Sequence, residues 1–193
     1  MTDTAPKARD SRTAVYAGVF DPPTLAHLEL IERALGLFDR LVVVVAVNAA
    51  KSSSMFTTEE RVALLDSSIP DRLKGSVRVE AYDGLVAPYA EKIGACALVR
   101  AMRPVTDADY EIALSLMNAK LAPSIPTVLL VARAEHVYLS STFVRDAARF
   151  DGLIMDGTVP EPVAAALRER FAHRAGYRSS PAGSGRNGAE GSG

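Results

Sequence analysis

The chain has 193 residues, 48% of them hydrophobic and 23% charged, with a formal net charge of -1. That balance suits one soluble α/β domain with a real core and leaves no electrostatic footprint for nucleic acid. A single cysteine, Cys96, excludes an intrachain disulfide framework and a multi-cysteine metal site, and no apolar stretch approaches the length of a membrane span.

Residues 1–13 read as a flexible leader without the apolar segment of a secretory signal, so the expected compartment is the cytoplasm. Residues 14–173 read as the folded domain, and 174–193, rich in Gly and Ser, as a disordered tail. Ala14–Ala17 is a short apolar run, a buried first strand. Gly18 follows, and Asp21-Pro22-Pro23 forces a turn. Leu28, Leu30, Ile31, Ala34, Leu35 and Phe38 then mark a helix. The valine-rich Leu41–Val47 is a parallel strand covered on both faces. Thr57 with Glu60 forms a capping-box pattern opening a helix with Val62, Leu64, Leu65 and Ile69. Ser76–Ala81 is a third strand. Asp83 is placed to cap a helix to about Ile93, which Gly94 ends. Ala97–Arg100 is a fourth strand, with Cys96 beside it as a small core residue. Thr106 caps a helix through Leu121, Thr127–Val131 is a fifth strand, Ser140 starts a helix to about Phe150, and Pro160–Phe171 is a last amphipathic helix.

Alternating strands and helices imply a doubly wound, mostly parallel five-stranded α/β sheet. Ligands in such sheets sit beyond the carboxyl ends of the strands. That rim carries Val19–His27, Asn48–Met55, Asp83–Val86, Arg100–Arg103 and Arg133–Ser141. A strand, a tight loop and a helix start are the parts of a phosphate-binding βα unit, and His27 falls in the first turn of that helix, where its imidazole faces a bound anion.

Two stretches carry a family resemblance: Thr24-Leu25-Ala26-His27, a [T/H]-x-G-H-like motif, and Leu139-Ser140-Ser141-Thr142-Phe143-Val144-Arg145, an I-S-S-T-x-x-R-like motif. With Met55–Leu65, Leu98–Glu111 and Leu116–Asn118 in order, residues from about Val15 to about Phe171 resemble the nucleotidylyltransferase superfamily, and within it the phosphopantetheine adenylyltransferase family. The resemblance implies a Rossmann-like fold and transfer of an adenylyl group from ATP to 4′-phosphopantetheine, giving dephospho-coenzyme A and pyrophosphate. It implies His27, Arg103 and Lys51 as catalytic residues. Val19, Phe20, His27, Ala101, Met102, Arg103, Glu111 and His136, Val137, Tyr138, Leu139, Ser140, Ser141, Thr142 match nucleotide-binding positions. Val19, Lys51, Val86 and Arg100 match positions that bind the acceptor. Arg145 belongs to the wider superfamily motif; read without it, Arg145 pairs with Asp146 or Asp151. Mg²⁺ would ride on the triphosphate. The implied partners are ATP and a phosphorylated small-molecule acceptor, with no nucleic acid or membrane, and a homo-oligomer, typically a hexamer in the family. Leu114, Leu116 and Met117 fit either a core or an interface.

The chain departs from the family pattern at four places. Val19 stands where a hydroxyl is usual, Ala26 where glycine is usual, and Arg100-Ala101-Met102-Arg103 replaces R-G-L-R. The lysine pair before M-F becomes Lys51-Ser52-Ser53-Ser54, so Lys51 serves only if the loop shifts by one residue. The alternatives are a paralogue that acts on another phosphorylated acceptor and a non-catalytic nucleotide-binding relative.

Overall fold

The computed structural model describes residues 12–47, 54–103, 107–151 and 156–175. Lys51, Thr106, most of the expected leader and the expected tail from residue 176 onward lie outside the described residues.

The apolar run after Thr13 forms β1 (Thr13–Gly18), whose central residues are buried on both faces. It lies between β2 (Arg40–Ala46) and β4 (Ala97–Met102). The sheet order is β3-β2-β1-β4-β5, every pairing parallel, with β3 at Val77–Tyr82 and β5 at Thr127–Val131. The chain winds outward from β1 in one direction, then crosses back to β4. The gap between the carboxyl ends of β1 and β4 is therefore the switch point at which such sheets bind ligands.

Side chains alternate across the strands and fill two cores. Tyr16, Val43, Val45 and Val99 pack with Leu30 and Ile31 of α1 (Leu25–Leu35) and Leu65 of α2 (Thr58–Ser68). Val15, Val42, Val44 and Leu98 pack on the other face with Ala87 and Ala90 of α4 (Val86–Lys92). A third cluster joins Met55 and Phe56 to Val144 and Ala148 of α6 (Ser141–Asp151) and Val163 and Leu167 of α7 (Glu161–Ala175). This cluster carries α6 against the rim of the sheet.

Several sequence expectations change. Thr13 belongs to β1 rather than to a leader. The helix that Asp83 was expected to cap begins two residues later, because Gly84 at φ 152 prolongs the turn and Leu85 takes the N-cap. Helix α2 stops at Ser68; Ile69 is extended before Pro70, and a short unexpected helix, α3 (Asp71–Lys74), follows. Strand β4 runs on to Met102, so Arg100 lies within the ladder opposite Leu129 rather than ending the strand. Helix α5 (Ala108–Leu121) follows. Cys96 is exposed, not in the core, because it precedes β4, where its amide bonds to the Thr13 carbonyl. Leu116 and Met117 are exposed, at 64% and 57%, so neither belongs to the core.

Candidate active site

At the switch point a cleft of about 300 Å³ opens over the ends of β1 and β4. Its floor is set by an unusual turn. Phe20 adopts a left-handed backbone, φ 51, which a bulky residue tolerates only when packing holds it. The holding contacts are edge-on rings: Tyr16 at 5.3 Å on one side and His27 at 5.0 Å on the other. Gly18 is required below, since a Cβ there would stand 2.9 Å from the Phe20 ring.

His27 sits at the third position of α1 and takes the part that Glu or Gln plays in a capping box. Its Nδ1 accepts the Thr24 backbone N–H at 2.9 Å and lies 3.0 Å from the Thr24 hydroxyl. An obligatory donor on Nδ1 assigns the neutral ring's proton to Nε2, the nitrogen left for the cleft. Burial, helped by the Arg103 charge, pulls the imidazole down to about 4. At neutral pH His27 is therefore an uncharged N–H donor held in one orientation.

The two cleft arginines are paired. Arg100 donates through Nε and Nη2 to both oxygens of Glu111, at 2.8 and 2.7 Å, and through Nη1 to the Ala17 carbonyl at 2.8 Å. Burial acts to lower the Arg100 pKa, but the Glu111 carboxylate outweighs it, so the guanidinium stays above its ordinary value. Glu111 is only 6% exposed, not a solvated helix residue, because the fork from β4 reaches it across the start of α5. Arg103 forms the same fork with Asp107, Nε to Oδ2 at 2.5 Å and Nη2 to Oδ1 at 2.8 Å, and this pairing raises its pKa.

Opposite lies the start of α6. Ser140 Oγ accepts the Phe143 amide at 3.1 Å, and the Ser141 hydroxyl donates to the Pro22 carbonyl at 2.8 Å. The starts of α1 and α6 are thus tied together, and both line one cleft. Two helix N-termini facing one space make an anion site. Arg145, one turn into α6, reaches to Asp21 rather than to its neighbour Asp146. It donates to the Asp21 carbonyl, lies 3.8 Å from that carboxylate and bonds the Thr142 hydroxyl at 3.0 Å. A second hollow of about 410 Å³ continues past Val19, Ser141, Thr142 and Arg145.

Of the sequence-derived site residues, Val19, Phe20, His27, Arg100, Ala101, Arg103, Glu111 and His136 line the first cleft, with Leu139, Ser140, Ser141 and Thr142. Met102, Val86, Val137 and Tyr138 do not line it. Met102 pairs with Val131 in the sheet, Val86 packs into the second core, and Val137 and Tyr138 are exposed. Lys51 lies outside the described residues.

Sequence reading missed two residues. Asp21, 3% exposed, accepts the Met55 and Phe56 amides on its two oxygens, both at 2.9 Å. Arg61, 4% exposed, reaches under the Val19 turn. Helical spacing carried a signal for Arg61, which stands four residues before the fully buried Leu65 on one face of α2.

A family model described as cytidylyltransferase-like matches residues 15–147. A protein of Desulforamulus reducens named phosphopantetheine adenylyltransferase is 42% identical over 162 residues, covering 84% of this chain and 98% of that protein. One of Desulforudis audaxviator with the same name is 44% identical over 163 residues, again covering 84% and 98%. In fold, the chain is similar to a putative nicotinate-nucleotide adenylyltransferase from Vibrio parahaemolyticus, with a TM-score of 0.58 at 18% identity, covering 86% of this chain and 96% of that one. It is also similar to a bifunctional NMN adenylyltransferase/ADP ribose pyrophosphatase from Francisella tularensis, with a TM-score of 0.61 at 15% identity, covering 84% and 50%. With the cleft at the switch point and these likenesses over most of its length, the chain belongs to the phosphopantetheine adenylyltransferase family of cytidylyltransferase-like nucleotidyltransferases.

Proposed function

We propose that this chain transfers AMP from ATP to 4′-phosphopantetheine in coenzyme A biosynthesis. An oxygen of the acceptor phosphate attacks the α-phosphorus. The bond from that phosphorus to the β-bridging oxygen breaks, and pyrophosphate leaves. The observation that carries this reading is the 42% identity over 98% of a relative bearing that name.

The reaction needs no covalent enzyme intermediate, so alignment and charge stabilisation are the protein's contribution. His27 donates its Nε2–H to a non-bridging α-phosphate oxygen as charge accumulates there. A neutral donor suits this step, because it adds a hydrogen bond without having to lose a proton. The starts of α1 and α6, with the Ser140 and Thr142 side chains, receive the β- and γ-phosphates. Arg103 reaches the triphosphate from just past the end of β4, oriented by Asp107. Ala101 lines the nucleotide side with His136 and Leu139, while Val19 and Arg100 face the acceptor. Lys51 and Val86 are proposed on the acceptor side from the resemblance alone, and Met102, Val137 and Tyr138 on the nucleotide side likewise.

The divalent cation enters as MgATP. The carboxylates that line the cleft, Glu29, Asp107 and Glu111, are each held by an arginine. Among the described residues no group of three or more His, Cys, Asp or Glu side chains gathers. These residues do not fit a protein cage for Mg²⁺, whose ligands would be phosphate oxygens and water.

A homo-oligomer, hexameric by family likeness, would cover apolar side chains that α5 leaves exposed, Tyr110, Ile112, Leu116 and Met117. No helix among the described residues is long and apolar enough to cross a membrane, and the cytoplasm is the proposed compartment.

Pyrophosphate release with ATP and a panel of phosphorylated acceptors tests the reading. Release with 4′-phosphopantetheine, matched by dephospho-coenzyme A, is the expected result. Release only with another acceptor would replace the substrate, and no release with any would favour a binding role.

A further inference from the structure

Arg61 is a buried cation whose guanidinium, among the described residues, hydrogen-bonds to carbonyl and hydroxyl oxygens rather than to a carboxylate. Its guanidinium is spent on oxygens from three different elements. Nη1 donates to the Val19 carbonyl at 2.8 Å and to the Ala46 carbonyl at 3.3 Å; Nη2 donates to the Thr58 hydroxyl at 2.8 Å and Nε to the Thr57 carbonyl at 3.3 Å. A charge held this way is costly to bury, and a hydrophobic residue would fill the same space more cheaply if only packing were at stake.

Its position explains what it does. Val19 lines both the cleft and the adjoining hollow. The peptide joining Val19 to Phe20 is trans, so its C=O and N–H point in opposite directions. With the Val19 carbonyl drawn down to Arg61, the Phe20 N–H is turned away from Arg61. That amide finds no acceptor among the described residues, although Phe20 is 2% exposed. A backbone donor without a protein partner is met by water or by a ligand, and Phe20 lines the cleft in which the substrate phosphates are proposed to sit.

We infer that Arg61 is a positioning residue for phosphoryl transfer: by holding the Val19 carbonyl it aims the Phe20 amide at a phosphate oxygen of the substrate. Without Arg61 the peptide is free to rotate and present a carbonyl dipole to the phosphate instead. The planar fork is essential, because lysine offers a point charge that cannot serve the carbonyls of Val19, Ala46 and Thr57 together. This inference rests on the nucleotidyl-transfer reading of the same cleft.

The test pairs Arg61→Gln with Arg61→Lys, measuring melting temperature, kcat and KM on folded protein, and the ¹⁵N–¹H resonance of Phe20 on addition of MgATP or of inorganic pyrophosphate. Wild type should show a large Phe20 shift with either ligand. Both variants should lose it, with a fall in kcat of about tenfold to a hundredfold, at or below the roughly 10²–10³-fold cost of losing a preorganised donor outright. If Arg61→Gln does not fold, Arg61→Lys decides alone. A folded variant with wild-type kcat, or one that retains the Phe20 shift, overturns the inference, as does activity lost only in proportion to unfolding. The resonance experiment needs no acceptor, so failure of the 4′-phosphopantetheine assignment would leave this result readable.

Discussion

The proposed nucleotide and acceptor sides of the cleft are built differently. On the nucleotide side, three polar groups are fixed by near neighbours: Thr24 orients His27, Asp107 orients Arg103, and Ser140 caps α6. These contacts lie within four residues of one another in sequence, so local structure largely sets them. On the acceptor side, and at the Val19–Phe20 turn that borders both sides, the framing contacts are long-range. Asp21 holds the amides of Met55 and Phe56, and Arg61 holds the Val19 carbonyl. Two of the four departures from the family pattern, Val19 and the loop after β2, fall on this side, while Ala26 and Ala101-Met102 fall on the other. Local constellations preserve geometry with few residues, whereas a frame assembled from distant segments leaves room for side-chain exchange.

The largest expected effect tests the nucleotide side. His27→Ala should lower kcat by on the order of 10²–10³-fold, as for loss of one preorganised donor, with little change in acceptor KM. Near-normal turnover in steady-state assays would remove His27 from the mechanism. Next, Glu111→Gln leaves Arg100 buried without its counter-charge and should cost about 3 kcal/mol in a urea unfolding experiment. A loss below about 1 kcal/mol would mean that the Arg100–Glu111 fork is incidental rather than structural. Ser140→Ala removes the α6 cap and should cost about 1 kcal/mol, while raising the KM for ATP and leaving that for the acceptor unchanged.

The acceptor side gives a smaller effect of opposite sign. Val19→Thr restores a hydroxyl and should lower the KM for 4′-phosphopantetheine by about twofold to tenfold, the worth of one hydrogen bond. An unchanged KM would show that valine has not weakened this side. The pH dependence separates the sides again. His27 is depressed from 6.5 to about 4 in the fold. Between those values the unfolded chain binds the extra proton, so stability falls as the pH drops from 6.5 towards 4 and is recovered above 6.5. Melting temperatures across that window should show the slope in wild type and a shallower one in His27→Gln.

Much of this was legible in the sequence because its physical causes are local. Strand β5 occurs where apolar run length placed it, and the Thr57–Glu60 capping box forms in both directions. The rim of candidate residues followed from strand order alone, since parallel strands bring their carboxyl ends together. What escaped reading depends on distant partners. Nothing local tells that Glu111 is buried; the fork from Arg100 on the neighbouring strand does that. Arg145 has two acidic neighbours in sequence, yet it turns to Asp21, 124 residues away. The start of α4 was misplaced because Gly84, with its positive φ, delays the helix that Asp83 was expected to cap.

Separate calorimetric titrations of the unmodified protein with 4′-phosphopantetheine and with ATP test the central claim most directly. The account predicts saturable binding of both, because the frame set by Asp21 and Arg61 preserves the acceptor side despite Val19. Binding of ATP with no detectable binding of 4′-phosphopantetheine would contradict it and point to a different phosphorylated acceptor.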